Sequence, residues 1–504
     1  MAISKFIFSN GMNSRLILLT LSSIVAANSP IARAEDREDT RRLLEMNVQR
    51  QAVGRERELL KEQQEPATVG TFNVNGQTWQ VERTAPALGQ ALYMALQAHE
   101  WGVARRLLND YLTLPDREPL LVHYAQGTLA RAAGDYDRAI AEYRATLALK
   151  ADFLLAKLEL ARTLFLDGQD READRAFAEI LASFDSSDTR TAGVTKTITA
   201  FREALEQRQA WSGAISFGPE WSDNVNQTTA SRTCLFATDD GFCFYERVVP
   251  EAISSTGTAF DASVQRRIPV YQHHGLYLRS QLFGTQYRTQ GSYNETTFNA
   301  QAGYSFRKGR QQIAIAPTFE YYEQSNHALY GAWGAHAEWT YLLTAASMFK
   351  LEGDYRDRHF RQQSYAENFN GGQTSYWATY YHSVSEGITL FGGVDFTDSD
   401  ARSEYNGYRQ KGVRLGVSAE LPAGFQATLF TALRKRDYDV YNPLIEEQRL
   451  DREQNYVLVV KAQEWKVAGF VPMLIARHNK VKSNVDWLYS YDRNDIGFKL
   501  EYAF

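Results

Sequence analysis

The chain is 504 residues long, enough for two or three domains, and its formal charge of −5 is too small to point to nucleic acid or another highly charged partner. Aromatic residues make up 13%, with 28 Tyr and 27 Phe, yet after the first thirty residues no apolar run reaches the length of a transmembrane helix. That pairing argues against a helical membrane protein and suits a membrane barrel, in which half of each strand faces a polar lumen.

Lys5 and Arg15 precede an apolar stretch over residues 16–27, and Ala32-Arg33-Ala34 supplies a small-residue cleavage site before Glu35. This predicts a secretory signal peptide over residues 1–34, whose apolar core is too short for an anchor helix. Residues 35–84 form a charged leader and a small hairpin. The leader has scattered apolar residues at Leu43, Leu44, Met46, Leu59 and Leu60, which fits a loosely amphipathic helix and a disordered segment equally well. The hairpin is expected over 71–83, with Phe72 and Val74 before an Asn75-Gly76 turn and Trp79 and Val81 after it.

Over residues 85–210 the period becomes helical and a 34-residue repeat emerges: Gly134, Ala139, Tyr143 and Leu147 are followed by Gly168, Ala173, Phe177 and Leu181. The spacing matches tetratricopeptide repeats, in which small residues let paired helices approach and aromatics fill the groove between them. Trp101, Ala104 and Leu108 mark an earlier, degenerate unit, so about three repeats are expected, with residues 194–209 as a capping helix. Such solenoids bind peptides or proteins along a concave face. The expected client-binding residues are Tyr124, Thr128, Arg131, Leu158, Arg162 and Phe165.

Residues 211–504 keep a period of two, clearest over 298–306, 313–321, 388–396 and 413–421. Apolar residues would face lipid, and Lys350, Glu352, Asp354, Lys499 and Glu501 a wet lumen of mixed charge. Short turns alternate with longer polar segments, which predicts about 14 antiparallel strands with both termini in the periplasm and long loops outside. The count is blurred where 276–287 and 467–478 carry large apolar residues on both faces. The chain's end, with Gly497, Phe498, Leu500, Tyr502 and Phe504, reads as the closing strand and as an assembly signal for bacterial barrel proteins. Cys234 and Cys243, the chain's two cysteines, predict one short-loop disulfide in an oxidising compartment.

Catalysis finds no support. No nucleophile, base and oxyanion set can be assembled, and His273-His274 reads as a solvated turn without acidic neighbours rather than a metal site. No catalytic, cofactor-binding or metal-binding residue is therefore assigned, and no cofactor is expected.

Helical repeats joined to a C-terminal barrel resemble the surface lipoprotein assembly modulators, or Slam proteins. The likeness is carried by residues 111–115 (YLTLP), by Leu158-Glu159-Leu160-Ala161 with Leu164-Phe165, and by Gln169 with Glu172-Ala173. In the barrel it rests on residues 223–227 (DNVNQ) and on the G-x-x-x-x-Y-x-F close at Gly497, Tyr502 and Phe504. Ala151-Asp152-Phe153, where a repeat proline is usual, and the loop between the cysteines depart from the pattern. The resemblance implies an outer-membrane translocator. Its repeat domain would capture surface lipoproteins, or secreted haem- or metal-acquisition proteins, in the periplasm and pass them to the barrel. Outer-membrane lipids and the general barrel-assembly machinery would be further partners. Two alternatives are an exopolysaccharide export porin, expected to have a one-signed lumen and more repeats, and a passive diffusion porin, which leaves the repeats without a purpose.

Overall fold

The computed structural model describes residues 34–60, 84–184, 191–238 and 240–504. The signal-peptide core and the hairpin expected over 71–83 lie outside them.

Fourteen antiparallel strands close into a barrel. They are β1 (Ser212–Ser222), β4 (Ser255–Tyr271), β5 (His274–Tyr287), β6 (Glu295–Lys308), β7 (Gln311–Gln324), β8 (His327–Thr344) and β9 (Ser347–Phe360). The ring continues with β10 (Gly371–Ser385), β11 (Ile388–Ser399), β12 (Tyr408–Leu421), β13 (Phe425–Asn442), β14 (Glu447–Ala462), β15 (Val471–Ser483) and β16 (Tyr491–Ala503). Two further strands, β2 (Arg232–Ala237) and β3 (Cys243–Val248), form a hairpin in the connection from β1 to β4, and the Cys234–Cys243 disulfide ties them together.

Alternation along each strand sorts side chains by solvent. Ile496, Phe498 and Tyr502 of β16 point outward and are exposed, as are Leu278, Ile315, Leu415, Leu429 and Leu474 around the ring. Lys499, Glu501, Lys350, Glu352 and Asp354 point inward and are buried. An apolar outside and a charged inside are what lipid and water demand of a barrel wall. One rim, the turn end, carries tight turns such as Gln272-His273 and Gly309-Arg310. The opposite rim, the loop end, carries the longer connections, among them the β2–β3 hairpin and a short helix at Gln363–Phe369.

Between residues 85 and 209 seven helices pack in sequence: α2 (Ala85–Gln97), α3 (Trp101–Leu112), α4 (Pro119–Ala132), α5 (Tyr136–Leu149), α6 (Leu154–Asp167), α7 (Asp170–Ala182) and α8 (Ala192–Gln209). The repeat is visible in the packing. Ala104, Ala139 and Ala173 occupy equivalent places on α3, α5 and α7 and are fully buried. Their small side chains let paired helices close up, and Leu108, Tyr143 and Phe177 one turn later fill the space between them. Gly127 of α4 leaves room for Tyr143, whose ring would lie 2.9 Å from an added Cβ.

The charged leader is a 27-residue helix, α1 (Ala34–Leu60). Glu38 pairs with Arg41 and Arg42, and Arg41 with Glu45, at the three- and four-residue spacings that stabilise a helix of weak apolar character. At 1.5 Å per residue it is ~40 Å long, enough to cross a bilayer's hydrocarbon core. It lies inside the barrel. Arg37, near its start, stacks 3.7 Å from the ring of Tyr322 at the loop end of β7, while Arg55 reaches the Phe504 carbonyl oxygen, 2.9 Å away, at the turn end.

Candidate functional site

The lumen is the first part of the site, and α1 fills it through polar contacts to strands on every side. Asp39 accepts from both terminal nitrogens of Arg434 on β13 at 2.6 and 2.8 Å, and from Asn455 of β14 at 2.9 Å. Arg41 donates to Asp354 of β9 at 2.7 Å, and Arg42 to Glu352 at 2.9 Å while lying 3.6 Å over the Trp377 ring of β10. Nearer the turn end Asn47 donates to Glu501 of β16 at 2.9 Å and accepts from Lys461 of β14 at 2.8 Å. Charges of both signs come from the wall and the helix alike. Sequence reading placed Glu352, Asp354 and Glu501 in a lumen but missed their partner, because a helix bathed in a wet lumen has the composition of one bathed in solvent.

One side of the lumen differs. Leu43 and Met46 of α1 pack against Phe391 of β11, Phe430 of β13, Val457 of β14 and Met473 and Ile475 of β15. Between helix and wall a cavity of about 780 Å³, its open mouth included, is bordered by all of these residues except Phe430, and by Lys461, Arg477 and Glu501.

The second part is the seam where β16 meets β1. The backbone ladder joins Phe504 to Gly213 in both directions at 3.0 Å and pairs Phe217 with Leu500 and Trp221 with Ile496. Gly218 and Pro219 have no partner in it, although both pair with β4 on their other side. A proline lacks the N–H a ladder needs, so the missing rungs fall where the chemistry requires. Inside the lumen, ion pairs span the seam by skipping a strand. Lys499 of β16 reaches over β1 to Asp261 of β4 at 2.6 Å, and Arg477 of β15 reaches over β16 to Glu220 of β1 at 2.9 Å.

The third part is the joint between the helices and the turn end, made by the turns that open the repeated helices. Asp137 accepts from Lys308 at 2.7 Å. Asp167 accepts from the Gly309 amide at 3.0 Å and contacts His273 Nε2 at 2.6 Å, while Asp170 binds Arg267 and Arg208 at 3.0 and 2.9 Å. His273 is therefore no solvated turn: its acidic neighbour comes from another domain, beyond the reach of local sequence. Gly168 sits at φ +83° with an added Cβ 2.9 Å from the Arg307 carbonyl oxygen, so both its conformation and the closeness of the barrel require glycine. The foot of α1 joins in through Glu56, 2.7 Å from Arg208. Burial pushes the Glu56 carboxyl up, and the Arg208 guanidinium more than reverses this, leaving it below the usual carboxylate range.

The residues expected to line a client groove are mostly used otherwise. Tyr124, Thr128, Leu158 and Phe165 are buried in helix packing, with Thr128 accepting from the Tyr143 hydroxyl at 3.1 Å and Phe165 lying 3.7 Å from the Arg208 guanidinium. Burial also pushes the Tyr143 phenol up to about 12, so it remains a hydrogen-bond donor. Arg131 and Arg162 both pair with Glu159, and Arg162 is the more accessible.

Residues 211–504 match the family model described as surface lipoprotein assembly modifier, and residues 74–177 match the model for its N-terminal TPR repeats. The hemophilin secretion modulator of Acinetobacter baumannii is 35% identical over 465 residues, covering 88% of this chain and 93% of that protein. Surface lipoprotein assembly modifier 1 of Haemophilus influenzae is 25% identical over 79% of this chain and 80% of its own length. Surface lipoprotein assembly modifier 2 of Neisseria meningitidis serogroup B is 24% identical over 83% and 89%.

Proposed function

The chain belongs to the surface lipoprotein assembly modifier family, and from that premise we propose that it is an outer-membrane translocator carrying client proteins from the periplasm to the cell surface. The observation that carries this is the joint: a peptide-binding type of solenoid is fixed, through Asp137, Asp167 and Asp170, to the turn end of the barrel, which this reading makes its inlet. Under this reading the turn end and the repeats face the periplasm and the longer loops face outward. The clients are surface lipoproteins or a secreted protein of the hemophilin kind, following the names of the relatives. The repeats capture, the barrel conducts, and no catalysis is assigned. With four of the six expected groove residues committed to packing and Arg131 largely covered, capture falls to the accessible solenoid surface around Arg162. The mixed signs of the lumen argue against a polymer-export pore, whose charged cargo calls for one dominant sign.

Surface display tests the reading. Cells with and without the protein, each expressing a lipoprotein encoded beside it, are probed with antibody and external protease. Display that depends on the protein supports translocation, and equal display in both strains ends it.

A further inference from the structure

Segment 467–478 carries large apolar residues on both faces, and neither lipid contact nor a wet lumen explains the inner set. On β15 Leu474 points out, whereas Met473 and Ile475 point in and are buried with Phe391, Phe430 and Val457. All five lie toward the turn end of their strands, so the strip flanks the inlet. It is a built surface. Phe391 lies across Gly416 of β12, where an added Cβ would come within 2.2 Å of its ring. The rings of Phe391 and Phe430 stack at 6.4 Å and 16°, and Tyr381 extends the row onto β10, 5.8 Å from Phe391. Against this wall α1 packs Leu43 and Met46, and beside them, next to Leu44, it leaves the open-mouthed cavity.

Elsewhere in the lumen α1 is held by ion pairs, polar hydrogen bonds and the stacking of Arg37 and Arg42 on Tyr322 and Trp377, while Leu59 and Leu60 pack against the repeat helices. Buried ion pairs roughly break even against the desolvation of their members, and these charges would be rehydrated if the helix left a wet lumen. Within the lumen the helix is thus a partial match for the strip, held mainly by contacts that water can replace. Resting on the translocation reading, we propose that the strip Phe391, Phe430, Val457, Met473 and Ile475 is a contact surface for apolar side chains of an extended client polypeptide, and that α1 is the resting occupant the client displaces. A polypeptide fits better than a lipid tail. The present occupant is itself a peptide segment, and the rim pairs Lys461 with Glu501 and Arg477 with Glu220, which suits a chain of mixed charge rather than a one-signed headgroup.

The test uses the full-length protein in liposomes. The probe is a lipoprotein client from the display assay, arrested in transit by a fused folded domain, in lipidated and unlipidated forms. A photo-crosslinking residue replaces Phe430 or Ile475 in the strip, Gln301 on the opposite inner wall, or the outward Leu429 and Leu474. Crosslinks to the client chain from 430 and 475, severalfold above 301, 429 and 474 and alike for both client forms, are expected. Crosslinks confined to the acyl groups of the lipidated form would overturn the polypeptide assignment. Transport without any preference for the strip would overturn the inference while leaving the translocation reading intact, and display independent of the protein would end both. A Phe430→Asn variant should lower transport severalfold with the barrel's heat-modifiability unchanged, and Phe430→Leu should restore it; should Phe430→Asn not fold, the crosslinking pattern alone decides.

Discussion

Lys499 is about 1% exposed, lies on the closing strand, and has its ammonium 2.6 Å from Asp261 two strands away. Taking one member from such a buried pair leaves the other charge without compensation, an effect of about 3–5 kcal/mol, whereas replacing both by apolar residues is often near neutral. Lys499→Met alone should therefore lower the temperature at which the barrel loses its compact gel mobility, and Lys499→Met with Asp261→Leu should recover much of the loss. A double mutant as unstable as the sum of its singles would show that the pair does not brace the seam. At the joint, Gly168→Ala meets both a left-handed backbone and the Arg307 carbonyl, and limited proteolysis should separate helices from barrel faster in that variant. Residues like Lys499 were legible because a charge alternating with Phe498 and Leu500 has one physical home in a barrel strand. His273 was not, since its partner Asp167 lies 106 positions away and only tertiary structure brings them together.

Among the elements, the strands were readable because lipid and lumen impose opposite chemistries on neighbouring residues, a signal that survives along most strands and blurs at 276–287 and 467–478. Helix α1 sent no such signal. Its surroundings inside the barrel are polar on most sides, so Leu43 and Met46 stood out too little to show that they touch a wall. Deleting residues 35–60 should leave a barrel that still inserts but conducts ions in planar bilayers far more than the intact chain. Unchanged conductance would mean that some other element closes the lumen. Asp39→Ala is a gentler version: it strips Arg434 of its strongest partner and should raise the frequency of brief openings rather than the size of the open current.

For the whole molecule, two routes out of the barrel make different demands. A lateral exit has to part the β1–β16 ladder and the Lys499 and Arg477 pairs, with the unpaired Gly218-Pro219 as the place to start. Joining Phe217→Cys to Leu500→Cys by a disulfide would close that exit and leave the lumen untouched. If the strip carries the client, export should survive the crosslink, and loss of export restored by reductant would assign the route to the seam. The joint also has a pH dependence of known sign. Because Glu56 is held below the ordinary carboxylate range, its pair with Arg208 contributes fully above that range and is lost as pH falls through the lowered value. Protease attack near residue 60 should therefore be flat through neutral and mildly acidic pH and rise only in stronger acid. The domain order was legible from the change of period near Trp211, but the contact between domains was not, since the turns that make it look like ordinary repeat turns.

A rod enclosed by an unbroken ring also restricts the history of the molecule. Either β1 and β16 join after α1 is already between them, or the helix slides in end-on through a finished barrel. The second path admits nothing wider than a helix ahead of Arg37. A compact domain fused directly before the helix should then leave the lumen empty, while a short epitope tag should not. If both fusions yield a filled lumen, the ring was open when the rod arrived, and the β1–β16 rungs, Gly213 with Phe504 among them, form only after α1 is in place.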